Sequence, residues 1–218
     1  MVLAEQPPPK LWSSFELGNP DSLERRVIDA ADECVCRWGW AKTTMADIAG
    51  EAGISRATVY RAYPGGRDAI FEALRRQREL LFFHELLEPL ASGTSLESTM
   101  IDTMLTASES LRDDEGFRTE LRREPGVLLR QLTFDGLEQI LGISRLVVAP
   151  HLTRFVDRRE ANQLAEWATR VVISHALDPS EHVDLTNRPD VERLVGYRLR
   201  ALVAEASTSD SVKPQPKD

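Results

Sequence analysis

Cysteine is scarce: the chain of 218 residues has two, Cys34 and Cys36. Two apart on a helical pattern, they point about 200° away from each other. That geometry does not suit a mutual disulfide, so a disulfide-stapled scaffold is excluded and a reduced, cytoplasmic setting is the expectation. Long apolar runs are also missing. Nothing approaches the roughly 18 residues that a transmembrane helix needs, and MVLAEQPPPKLW has no charged segment followed by an apolar stretch, as a secretory signal would. No segment alternates apolar and polar residues over a strand's length, which leaves an all-α fold. The four histidines, His84, His151, His175 and His182, are scattered and form no His-x3-His pair or Cys/His cluster, so no metal site is expected. Gly-x-Ser-x-Gly, P-loop and Gly-x-Gly-x-x-Gly motifs are absent, and with them the usual signs of an enzyme or a nucleotide cofactor.

Basic charge is short overall, at a net −8, but it is unevenly spread. Residues 22–82 carry 10 Lys/Arg against 9 Asp/Glu, whereas residues 83–218 carry 16 against 23. The acidity sits in the C-terminal two thirds, and the N-terminal third is able to present a local basic face. Asp113, Asp114, Glu115 and Glu124 form an acidic stretch that reads as a solvated helix start.

The pattern divides into four parts. Residues 1–18 are Pro-rich and aperiodic, a mobile arm. Residues 19–66 hold three short helices. Residues 67–206 hold a longer run of helical patterns. Residues 207–218 are a polar, Pro-containing tail of disordered composition. Asn19-Pro20 reads as the start of the first helix, over 20–38, with Leu23, Val27, Ala30, Ala31, Cys34 and Trp38 at helical spacing and Gly39 ending it. Later helices are expected over about 44–52, 55–63, 67–90, 95–111, 114–123, 126–133, 134–156, 158–177 and 188–206.

One stretch stands out chemically: TTMADIAGEAGISRATVYRAY, Thr43 to Tyr63. It has two short helical patterns around a Gly-Ile-Ser break, the grammar of a helix-turn-helix. Gly53 supplies the positive φ the turn requires, and Ile48, Ala49, Ala52 and Ile54 supply the small, apolar brace. In the second helix Val59, Ala62 and Tyr63 share one face, while Ala57, Thr58 and Arg61 lie opposite, flanked by Arg56 and Tyr60. Arg grips guanine edges or phosphate, Thr offers a hydroxyl and a methyl, and a Tyr hydroxyl donates to phosphate. Lys42, Thr43 and Thr44 open the first of the two helices, where the dipole favours an anion. The bland alternative is a helical hairpin inside the core of an all-α carrier or enzyme.

Over residues 23–74 the chain resembles the N-terminal domain of the TetR family of bacterial transcriptional regulators. The resemblance rests on Ala30-Ala31, Gly39, Thr43-Thr44-Met45, Asp47-Ile48-Ala49, Ala52-Gly53-Ile54-Ser55, Thr58-Val59-Tyr60-Arg61, Tyr63-Pro64 and Ala69-Ile70. It implies an N-terminal helix-turn-helix domain followed by a larger helical ligand-binding and dimerisation domain. It further implies a homodimer on a palindromic operator, usually a repressor, released by a small-molecule effector. By position, Thr44, Tyr60 and Tyr63 would touch phosphate, and Arg56, Ala57, Thr58 and Arg61 would face bases or backbone. The family often has a Lys after the aromatic-Pro pair. Here Pro64-Gly65-Gly66 is one residue longer, and Arg67 stands nearest that place.

For an effector, the apolar residues Met100, Met104, Phe117, Phe134 and Trp167 are the candidate lining, although core packing is their usual role. For a dimer, the last two helical patterns offer Leu164, Ala168, Val171 and Val172, then Leu194, Leu199 and Leu202. Two such helices from each copy would make a four-helix bundle.

Overall fold

The computed structural model describes residues 21–131 and 135–210, with the side chains of residues 127, 130, 131, 135 and 203–210 left aside. All regular structure among these residues is helical: α1 Leu23–Trp38, α2 Met45–Glu51, α3 Arg56–Ala62, α4 Gly66–Glu85, α5 Leu87–Ser92, α6 Leu96–Asp113, α7 Glu115–Arg123, α8 Pro125–Gln131, α9 Asp135–Val147, α10 Ala149–Leu152, α11 Arg158–Leu177 and α12 Arg188–Asp210. They form two compact units. One reaches to Phe82 and also takes in Arg122–Glu124; the other holds Phe83–Leu121 and the chain from Pro125 onward.

In the first unit, α1 starts later than Asn19-Pro20 suggests. Ser22 is its N-cap and its side chain accepts from the Arg25 amide at 3.1 Å. Gly39, at φ 86°, ends the helix and donates its N–H to the Val35 carbonyl at 2.8 Å. Val27, Ala31, Val35, Ile48, Val59 and Leu74, from the four helices, meet in one core with at most 1% of each exposed. Burial of such a side chain is worth about 1.5–3 kcal/mol. Cys34 is in the same interior, and burial, with Glu51 and Asp47 nearby, pushes its thiol up to about 11. It is a packing residue, since the thiolate is the reactive form.

In the second unit α6 packs on α5, α11 and α12, while α9 and α10 pack on α11. Leu90, Met100, Met104, Leu141, Leu152 and Leu164 are its fully buried large side chains. Two prolines divide what the periodicity reads as single helices. A proline ring clashes with the carbonyl four residues back. Pro89 therefore cannot continue a helix through Glu85, where α4 ends before α5 begins at Leu87. Pro150 acts likewise, and the 134–156 pattern becomes α9 and the short α10. Arg154 seals the end of α5, donating to the carbonyls of Leu90 and of Ala91, the latter at 3.0 Å.

Candidate nucleic-acid interface

The helix-turn-helix is built by its own local chemistry. Thr44 and Asp47 form a reciprocal capping box at the start of α2. The Asp47 amide donates to Thr44 Oγ1 at 3.3 Å, and the Thr44 amide donates to Asp47 Oδ2 at 2.9 Å. The Thr44 hydroxyl also donates to Asp47 Oδ2 at 2.6 Å. These bonds hold the Asp47 carboxyl below the usual carboxylate range. At the other end of α2 the chain turns in a Schellman motif: Ile54 N–H to Ala49 O at 3.0 Å and Gly53 N–H to Gly50 O at 3.1 Å, with Gly53 at φ 65°. Only glycine enters that conformation cheaply. Ser55 then caps α3, accepting from the Thr58 amide at 3.2 Å. From outside, Arg26 donates to the Ala52 carbonyl at 2.9 Å and Arg37 pairs with Glu51 at 3.0 Å.

This bracing fixes which side of α3 is outward. Val59 is fully buried, and Ala62 and Tyr63 pack partly against the core. Arg56, Ala57, Tyr60 and Arg61 are exposed, Tyr60 by 48%. Thr58 is half-buried and its hydroxyl lies 2.9 Å from that of Ser55. Gly66 faces the Tyr60 ring: a Cβ there would sit 3.6 Å from Cε1, at φ 68°. Arg67, next along, is exposed and lies over the Phe71 ring at 5.4 Å. Lys42 and Thr44 are exposed at the entry to α2.

Thr43 does not belong with them. Its side chain is fully buried, and its Oγ1 donates to the Gly39 carbonyl at 2.8 Å. Its N–H is spent on the same carbonyl at 3.2 Å. The threonine pair splits its work: Thr43 closes the loop, and Thr44 caps the helix. Tyr63 is half-buried, and its hydroxyl lies 3.5 Å from the Glu24 carbonyl. Burial first, and Glu24 second, push that hydroxyl's pKa up.

Sequence reasoning missed Glu124. It is no solvated helix start. Its two carboxylate oxygens accept from successive backbone amides, Trp40 at 3.0 Å and Ala41 at 2.9 Å, in the loop that leads into α2. The one local signal is Pro125, since a residue before proline is driven out of the helical region. No pattern in the sequence announces a partner 84 residues away.

In the second unit the proposed lining residues are dispersed in character. Met100 and Met104 are buried core residues at 2% and 1%, and Phe117 and Trp167 are half-buried. Phe134 lies outside the described residues. Of the dimer candidates, Leu164 and Val172 are buried within the unit and offer no outer face, a correction to the pattern reading. Ala168, Val171, Leu194, Leu199 and Leu202 are half-buried. Among the described residues no cluster of His, Cys, Asp or Glu is arranged to hold a metal, and no helix is long and apolar enough to cross a membrane.

Comparison with known proteins gives the interface its context. The family model described as bacterial regulatory proteins, tetR family, matches residues 27–74. An uncharacterised HTH-type transcriptional regulator of Mycobacterium tuberculosis is 43% identical over 90 residues, 41% of this chain and 45% of that protein. The chain thus spans about half the length of the curated relatives it matches. Among solved structures, the TetR family repressor AlkX from Dietzia sp., implicated in biodegradation of n-alkanes, is similar with a TM-score of 0.61 and 23% identity. That likeness covers 84% of this chain and 98% of AlkX. The regulator FadR from Bacillus subtilis, solved in complex with stearoyl-CoA, is similar with a TM-score of 0.52 and 19% identity, covering 78% of this chain and 96% of that one. The likeness to the TetR family of bacterial regulatory proteins thus lies in the sequence of residues 27–74, and beyond them in an all-helical fold similar to that of a solved repressor of that family.

Proposed function

We propose that the protein is a transcriptional regulator that binds a palindromic operator as a homodimer, represses from it, and is released by a small, mostly apolar effector. The observation that carries this reading is the outward face of α3. Arg56, Ala57, Tyr60 and Arg61 stand exposed on a helix whose Val59 is locked into the core. In a helix-turn-helix that face enters the major groove. Arg56 and Arg61 supply groove and phosphate contacts. Lys42, Thr44, Tyr60, Tyr63 and Arg67 supply backbone contacts, and Thr58 a partly covered hydroxyl.

A palindrome reader needs a two-fold axis, with recognition helices about 34–36 Å apart. The half-buried Ala168, Val171, Leu194, Leu199 and Leu202 of α11 and α12 are the residues we assign to it. For the effector, Met100, Met104, Phe117 and Trp167 give the second unit an adaptable apolar interior. The presence of stearoyl-CoA in FadR, and AlkX's link to n-alkanes, support a long-chain hydrocarbon group as its chemical class.

Selection of bound sequences from a random duplex pool, at near-physiological salt, tests the reading, because phosphate contacts weaken steeply with salt. The expected result is a two-fold symmetric motif, released on addition of a long-chain acyl-CoA. Absence of any enriched motif with folded, dimeric protein overturns it in favour of a helical carrier, in which Arg56 and Tyr60 are replaceable without loss of function.

A further inference from the structure

The loop Gly39–Thr43 joins α1 to α2, and the backbone N–H groups of Gly39, Trp40, Ala41 and Thr43 in it are all held. Gly39 donates to Val35 and its carbonyl accepts twice from Thr43. Arg123 donates to the Arg37 carbonyl at 2.7 Å, just before the loop. Trp40 and Ala41 donate to the two oxygens of Glu124. The site is shaped for that carboxylate. A Cβ on Gly39 would come within 3.3 Å of Glu124 Cδ and Oε1, so a larger residue would have to push the carboxylate aside by a few tenths of an ångström, besides bearing the strain of a φ of 86°. From the other side, the Trp40 ring meets Phe71 of α4 edge-on at 4.9 Å and carries the Arg75 guanidinium at 4.9 Å.

The loop is thus gripped by two segments, α4 through Trp40 and the end of α7 through Glu124. Both continue along the chain into the second unit: α4 passes from one unit to the other after Phe82, and Arg122–Glu124 are three residues of the first unit flanked on both sides in sequence by the second. A change in the second unit thus has two routes along the chain to the segments that grip this loop, and the loop leads directly to the capping box that starts α2.

We propose that Glu124 is a positioning residue for DNA reading. Its carboxylate latches the α1–α2 loop, sets the pose of α2 and α3, and transmits the state of the helical unit to them. The latch rests on the reading of the chain as an operator-binding regulator. Glu124 touches no DNA. It acts by fixing two amides, which a carboxylate satisfies together and a carboxamide does not, because Gln has one acceptor oxygen and an NH2 group.

The test uses full-length protein, the duplex enriched from the random pool, and a scrambled duplex as control. The variant is Glu124→Gln. Operator affinity is expected to fall about tenfold, with scrambled-duplex binding unchanged. Hydrogen exchange supplies a readout that a merely structural role does not move. In the wild type the operator is expected to slow exchange at Trp40 and Ala41 and also across residues 115–131, since coupling between sites is reciprocal. In Glu124→Gln the slowing is expected to stop short of residues 115–131. Wild-type protein that enriches no DNA overturns the regulator reading and the latch with it. Wild-type protein that binds its operator, with Glu124→Gln matching it in affinity and in the extent of slowed exchange, overturns the latch alone. If Glu124→Gln does not fold, the wild-type exchange decides: operator binding that leaves Trp40, Ala41 and residues 115–131 unslowed overturns the latch, and slowing at all of them upholds it.

Discussion

The two units spend their side chains differently. In the first, the side chains assigned to DNA lie on the outside: α3 turns arginines and a tyrosine to solvent over a packed core. In the second, the side chains assigned to an effector lie within, among core residues such as Met100 and Met104. An outward reader constrains residue type position by position, because each exposed group must match phosphate or a base edge. An interior sensor constrains only volume and polarity, which many side chains satisfy. The difference fits a family-model match over residues 27–74 and a helical architecture that is shared much further along the chain.

The largest effects should be alike in the two units for stability and unlike for DNA. Ile48 and Leu164 are both fully buried. Ile48→Ala and Leu164→Ala are each expected to cost about 2–5 kcal/mol, measured by chemical denaturation. Ile48→Ala should also weaken operator binding in the fraction that stays folded, since it loosens the brace under α3. A cost below about 1 kcal/mol at either site would show that its core is wrongly drawn. Next in size, Arg56→Ala and Tyr60→Phe should each weaken operator binding by about 1–3 kcal/mol, with stability within about 0.5 kcal/mol of wild type. Tyr197 on α12 is an exposed tyrosine of the other unit, at 62%. Tyr197→Phe is the matched control and should leave operator affinity unchanged. Equal losses at Tyr60 and Tyr197 would break the comparison.

What was legible in the sequence follows the same division. Gly53, Ser55 and the Thr44/Asp47 box could be read because each acts within four residues of itself, where spacing carries the information. The burial of Thr43 could not, although its partner, the Gly39 carbonyl, is only four residues back, because adjacent threonines look alike in a string. Pro89 and Pro150 did carry their message, through the carbonyl four residues back, and the apolar periodicity running across them obscured it. Leu164 and Val172 show the limit of helical periodicity: it finds an apolar stripe but not which neighbour covers it. Glu124 is the far extreme, a local charge whose meaning is set by amides 84 and 83 residues away.

Capping boxes give a finer comparison, because each unit has one. Thr44 and Asp47 start α2, and Ser95 and Ser98 start α6. Thr44→Ala and Ser95→Ala should each cost about 1 kcal/mol of stability. Thr44→Ala alone should also lower operator affinity, because Thr44 is itself among the phosphate contacts proposed for the reader. Loss of affinity from Ser95→Ala as well would mean that helix stability, and not position, sets the DNA response.

The smallest expected effect is in pH, and it separates the units cleanly because every histidine lies at residue 84 or beyond. His151, in the last turn of α10, has its pKa pulled below the ordinary 6.5, first by burial and second by the neighbouring Arg154 guanidinium. A histidine whose folded pKa is depressed binds fewer protons folded than unfolded, so stability rises with pH across the interval between the two values. The contribution is complete above 6.5 and is lost as pH falls through the folded value. Lowering the pH from about 7.5 to about 5.5 should therefore reduce protection of the amides of α9, α10 and α11, after correction for intrinsic exchange, and leave α1 to α3 unchanged. His151→Gln should abolish the dependence, since Gln keeps a polar group of similar size with nothing to titrate in that range. If the wild-type loss instead appears in α1 to α3, or survives in His151→Gln, then the proton is taken up elsewhere and the burial of His151 is not its cause.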